Sequence, residues 1–92
     1  MLFHIYCLDK PDHLQIRKDN REAHLQYLEP LGDRLFAAGP LLDENEGMIG
    51  SVLIIDFGSQ AEAETFCAND PYACAGLFDS VTITGWKKAL PK

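Results

Sequence analysis

Apolar positions along the chain fall into four short extended runs separated by two segments of helical period. Leu2 to Leu8 is rich in β-branched and aromatic residues and gives way to Asp9-Lys10-Pro11-Asp12, turn chemistry with a helix start, so it reads as a strand. From about Pro11 to Leu31 the pattern is helical, with Leu14, Arg21, Leu25 and Leu28 on one stripe and Asp12, Lys18, Asp19, Glu22 and Glu29 turned to water. Pro30 and Gly32 end it. Asp33 to Leu42 reads as a second strand interrupted by Gly39-Pro40, and a proline there suits an edge strand or a bulge because it brings no ladder donor. After the polar, hairpin-length stretch Asp43-Glu44-Asn45-Glu46-Gly47, the run Met48 to Phe57 is the most apolar of the chain. Ser59-Gln60-Ala61-Glu62 has the form of a capping box opening a helix that runs to about Ala68, with Ala63, Phe66 and Cys67 inward. Asn69-Asp70-Pro71-Tyr72 breaks that helix, a short piece leads through Gly76, and a last strand runs from Phe78 to about Ala89.

The order βαββαβ predicts an α+β chain with a ferredoxin-like sandwich: a four-stranded antiparallel sheet with two helices on one face. The third strand adds a condition. Met48, Gly50, Val52 and Ile54 on one side and Ile49, Ser51, Leu53 and Ile55 on the other are both largely apolar, which a sheet with one wet face does not need. A second copy packing sheet against sheet supplies the missing cover, so a homodimer is expected. Sedimentation at micromolar concentration should show it, and a lone 10.3 kDa monomer would remove the inference.

Size and charge narrow the functional classes. The 92 residues make a single domain over 1–92, and a monomer of this size buries only about 60% of its unfolded surface, so association helps it. A formal charge of −6 disfavours phosphate backbones and anionic membrane surfaces, which excludes nucleic acid and membrane as expected partners. No apolar run approaches a bilayer span, and with His4 inside its apolar stretch the N-terminus lacks a signal-peptide pattern, so a cytoplasmic location is expected. Cys7, Cys67 and Cys74 are odd in number and lie among apolar neighbours, which reads as packing by free thiols. No metal-ligand spacing, Walker loop, dinucleotide-binding glycine motif or nucleophile elbow is present, and no metal or cofactor is expected.

His24 and Asp70 are the chemical candidates. Imidazole titrates near neutral pH, and a carboxylate beside it fixes its tautomer and stabilises its charged form. His24 lies three residues after Arg21 and seven after Arg17, beside the apolar stripe, and taken alone it also reads as a half-buried helix histidine. Asp70 before Pro71 also reads as a turn stabiliser. In a βαββαβ fold the short second helix runs antiparallel to the first and ends near its middle, where His24 sits, so the two can meet. Arg21 has two readings, an attractor for a substrate carboxylate or a surface partner of Glu22 or Glu29. Gly50-Ser51 either leaves a hydroxyl facing a ligand or fills a crowded sheet centre. His4 shares a strand face with Tyr6, and His13 sits near the helix start; neither has an identified partner.

Several stretches taken in order carry a resemblance: Arg21-x-x-His24-Leu25-x-Tyr27-Leu28, Gly39-Pro40-Leu41-Leu42-Asp43, Met48-Ile49-Gly50-Ser51, Asn69-Asp70-Pro71-Tyr72, Ala75-Gly76-Leu77-Phe78 and Gly85-Trp86-Lys87. The set resembles the YciI-like (YCII-related) family across nearly the whole chain. The resemblance implies a dimeric α+β barrel and a small-molecule enzyme whose active site contains the helix histidine and the aspartate of the D-P-Y turn, here His24 and Asp70. For Ser51, Tyr72 and Phe78 it implies pocket lining only. The function expected is lyase- or isomerase-type proton transfer on a small organic anion, with Arg21, Ser51, Tyr72 and Phe78 binding it. The alternatives are a non-catalytic dimeric ligand-binding or accessory domain, in which the histidine and aspartate form a structural hydrogen bond, and an interaction module attached to larger enzymes.

Overall fold

The computed structural model describes residues 1–92. Four strands, β1 (Leu2–Asp9), β2 (Leu35–Leu42), β3 (Met48–Asp56) and β4 (Phe78–Trp86), form one antiparallel sheet in the order β2-β3-β1-β4. The helices α1 (Leu14–Leu28), α2 (Gln60–Ala68) and the single-turn α3 (Pro71–Cys74) complete the ferredoxin-like order. The expected edge position of Pro40 is observed: β2 lies at the sheet margin with Pro40 opposite Ser51, and the ladder shifts register on either side, between Leu35 and Ala37 and between Leu41 and Leu42.

Alternation along the strands decides which face is covered. Phe3, Ile5 and Cys7 of β1 and Leu53 and Ile55 of β3 are buried with Leu28 of α1 and Ala63 of α2, so both helices lie on that face. Phe66 and Cys67 of α2 pack against the same cluster, as the apolar spacing predicts. Gly50 is set by close approach, because a Cβ there would run into the Cys7 carbonyl oxygen of the neighbouring strand. On the opposite face Tyr6, Leu8 and Phe36 are exposed, and Phe36 meets Trp86 with ring centroids 5.9 Å apart.

Local chemistry sets the ends of the helices. Ser59 Oγ accepts from the Glu62 amide at 3.1 Å, while the Glu62 carboxylate accepts from the Gly58 amide at 3.0 Å, a capping box displaced by one residue. Asp70 caps α3 by accepting from the Tyr72 amide at 2.8 Å, and Pro71 occupies the first helical position, where a missing N–H costs nothing. The first helix is shorter than its pattern predicts. It begins at Leu14, after Asp12 takes a φ of 59°, and Glu29–Arg34 tightens into a 3-10 segment bent at Gly32, whose φ is 56°. No helix is long and apolar enough to cross a membrane.

The buried stripe of α1 also differs from the apolar one. Arg17, His24 and Leu28 are buried, whereas Leu14 and Leu25 are 42% and 44% exposed and Arg21 is exposed. The inward face is rotated by roughly one side-chain row, because Asp9 at the end of β1 neutralises Arg17 and Asp70 accepts from His24. Two polar residues with partners thereby displace two leucines from the interior.

Candidate active site

A short α3, held against α1, brings Asp70 to His24. The imidazole Nδ1 lies 2.9 Å from each carboxylate oxygen of Asp70, and both side chains are at least nine-tenths buried. An ionised carboxylate only accepts, so Nδ1 carries the hydrogen and donates it. In the neutral ring that tautomer leaves the lone pair on Nε2. Nε2 has no protein partner, and because no sealed side-chain polar atom in the structure lacks one, it opens to the cavity that His24 lines.

That cavity measures about 210 Å³ and is walled by Arg17, Arg21, Leu25 and Leu28 of α1, Ala38 to Pro40 of β2, Met48, Ser51 and Leu53 of β3, and Tyr72. An apolar cavity of about 150 Å³ holds benzene, so there is room here for one substituted ring. Larger hollows elsewhere on the surface are shallower. The one beside α2, for instance, is flanked by an Arg34–Glu62 pair already closed at 3.0 Å.

Tyr72 packs its ring on that of His24, 4.0 Å between centroids and 18° between planes, and Arg17 stands 4.7 Å from the same ring. His24 and Arg17 are two turns apart on α1, and Tyr72 fills the interval. Burial pushes the Tyr72 phenol above its ordinary pKa, against the opposing pull of Arg17 and Arg21, so at neutral pH it keeps its proton.

Arg17 is the functional residue that the apolar pattern hides. Its Nε and Nη2 donate to the two oxygens of Asp9 at 2.7 and 2.8 Å, and Nη2 also donates to Ser51 Oγ at 2.9 Å. Burial alone would lower its pKa, but hydrogen bonding to Asp9 and the charge of Asp9 raise it, so Arg17 is a fixed cation. Its seven-residue spacing from His24, on the helix that follows a strand ending in Asp9, is the available sequence signal.

The remaining candidates separate. Arg21 borders the cavity and forms no ion pair with Glu22 or Glu29. Ser51 is buried at the cavity wall, and Tyr72 lines it. Phe78 does not reach the cavity: it stands behind Tyr72, edge to face at 6.0 Å, and packs on the core, because the Asp70 turn points Tyr72 inward ahead of it. His4 lies on the opposite sheet face, and His13 is bound locally to the Pro11 carbonyl. All three cysteines are free, and burial pushes the thiols of Cys7 and Cys67 up to about 12, which leaves them as protonated packing groups at neutral pH.

Comparison with known proteins finds relatives that match nearly the whole chain. The protein YciI of Escherichia coli O6:H1 is 40% identical over 96 residues, covering 96% of this chain and 98% of the relative. Among solved structures, a 5-chloro-2-hydroxyhydroquinone dehydrochlorinase from Burkholderia phenoliruptrix AC1100, in complex with 2,5-dihydroxybenzoquinone, superposes with a TM-score of 0.88. It is 43% identical, over 95% of this chain and 94% of that one, and makes a small-molecule enzyme plausible here. The Pseudomonas aeruginosa protein PA3566, at 11% identity and a TM-score of 0.54 over 96% and 93% of the two chains, shares the fold alone. The YCII-related domain model matches residues 1–87, and the chain belongs to that family.

Proposed function

We propose that the protein is a proton-transfer lyase or isomerase acting on a small, planar, oxygen-rich anion, with His24 as general base and acid and Asp70 orienting the imidazole. The observation that carries this reading is the free Nε2 at the cavity wall, on a ring whose other nitrogen is held at 2.9 Å by a buried carboxylate. A bare structural hydrogen bond does not need that second nitrogen open to a ring-sized space.

The substrate class follows from the walls. Arg21 offers an unpaired positive charge at the cavity, Leu25, Leu28 and Leu53 offer flat apolar contact, and the dehydrochlorinase relative acts on a chlorinated, hydroxylated ring. In a dehydrohalogenation of that kind the imidazole takes a proton from a ring hydroxyl and returns it to the chlorine-bearing carbon, giving the keto form; loss of a second hydroxyl proton then lets its O–H pair form a carbonyl as halide departs with the pair of its carbon bond. No external oxidant is needed. A second copy covering Tyr6, Leu8, Phe36 and Trp86 completes the reading as a homodimer.

A thermal-shift screen tests the site. Hydroxylated benzoquinols, with and without chlorine, and small carboxylic acids are offered to wild type, His24→Ala and Asp70→Ala. Ligands of the folded state raise the melting temperature of wild type, and the shift disappears in both variants. Equal shifts in all three proteins would place binding elsewhere and sink the reading.

A further inference from the structure

The cavity has a second polar wall that proton transfer at His24 does not use. Ser51 is 3% exposed, and its oxygen accepts from Arg17, so its own hydrogen is left to donate. No protein acceptor takes that hydrogen, and Ser51 faces the cavity. Tyr72 is 2% exposed and lines the cavity, and no protein acceptor takes its hydroxyl hydrogen. Two neutral donors thus stand beside a buried guanidinium whose fork is locked by Asp9.

Such a set has a chemical purpose. Hydrogen-bond donors fixed before the reaction and backed by positive charge stabilise an oxygen on which negative charge develops, and they do so best where water is excluded. Arg17 commits Nε and both hydrogens of Nη2 to Asp9 and Ser51, and its Nη1 lies beside Tyr72, so the cation supports the cavity through the serine it polarises and the tyrosine it flanks.

We propose that Ser51 and Tyr72, polarised by the Asp9–Arg17 pair, form an oxyanion subsite for a phenolate or enolate oxygen of the substrate. This deepens the proton-transfer reading and rests on it for the source of the charge: as His24 removes a proton, the oxygen left negative is received by Ser51 and Tyr72. Arg17 is a positioning residue and Asp9 holds it. The subsite selects ligands with an acidic hydroxyl on a flat ring over aliphatic carboxylates of equal charge, because Ser51 and Tyr72 offer hydroxyl donors to an oxygen at the ring edge while Leu25, Leu28 and Leu53 offer the ring apolar contact.

The probe is 4-nitrocatechol, which ionises near neutral pH with a change in its visible spectrum. Bound to wild type, its apparent pKa falls by about one unit, because the anion binds about tenfold more tightly than the neutral phenol. Ser51→Ala and Tyr72→Phe each remove one hydroxyl, leave the Asp9–Arg17 pair in place, and reduce the preference for the anion to less than threefold. Circular dichroism confirms that both variants fold. His24→Gln keeps the preference while losing turnover. An unshifted pKa in wild type, or a preference lost in His24→Gln and kept in Ser51→Ala and Tyr72→Phe, overturns the subsite. Turnover that survives His24→Gln with the serine-dependent preference intact would instead overturn the proton-transfer reading.

Discussion

Asp9→Ala lowers the unfolding free energy by about 3–5 kcal/mol, a large part of the roughly 5–15 kcal/mol that a small domain has. The Arg17 and Asp9 side chains are 3% and 6% exposed, and the substitution leaves the guanidinium buried with only a neutral serine as partner. Denaturant midpoints measure the effect. Two other pairs provide controls: the N-terminal amine with Asp56, and Arg34 with Glu62, each about half exposed or more. Glu62→Gln is expected to cost no more than about 1 kcal/mol and Asp56→Ala to leave the midpoint close to that of wild type, since exposed pairs gain little over water. The double substitution Asp9→Leu with Arg17→Met should recover most of the loss, because the penalty comes from one uncompensated charge rather than from a missing attraction. A cost below about 1 kcal/mol for Asp9→Ala alone would mean that Arg17 reaches water, contrary to its burial.

The same pair marks where sequence reasoning stops. Strand positions, the edge proline, the α2 cap and its inner face are all legible because each rests on a local rule: period-two alternation, a missing amide hydrogen, a serine three residues before a glutamate. The meeting of His24 and Asp70 is legible one step further, from helix lengths and antiparallel order. The face of α1 is not. Hydrophobic period assigns Leu14 and Leu25 to the interior, yet a buried arginine with a bidentate partner competes with a leucine for the same row, and its partner sits on another element. The spacing from His24 marks Arg17 as a neighbour of the histidine, but its burial becomes visible only when Asp9, at the end of β1, is known to lie over the start of α1. Phe78 fails for a related reason, since a one-turn helix after Asp70 sends Tyr72 rather than Phe78 into the cavity.

The two members of the dyad separate cleanly by substitution. His24→Gln removes the group that carries the proton and is expected to lower kcat by about 10²–10⁴, the usual range for a positioned acid–base residue. Asp70→Asn keeps a similar shape and an oxygen able to cap Tyr72, but it removes the charge that stabilises the imidazolium and no longer enforces hydrogen on Nδ1. Its loss in kcat should therefore approach that of His24→Gln, with little change in stability. Asp70→Ala does more damage to the fold: it strips the cap of α3 and leaves the buried Nδ1–H without an acceptor, at a cost of about 1–3 kcal/mol. Measured together, kcat and denaturant midpoints distinguish chemistry from scaffold. An Asp70→Asn protein with full turnover would reduce the carboxylate to a helix cap, and a His24→Gln protein with full turnover would move the proton transfer to another group.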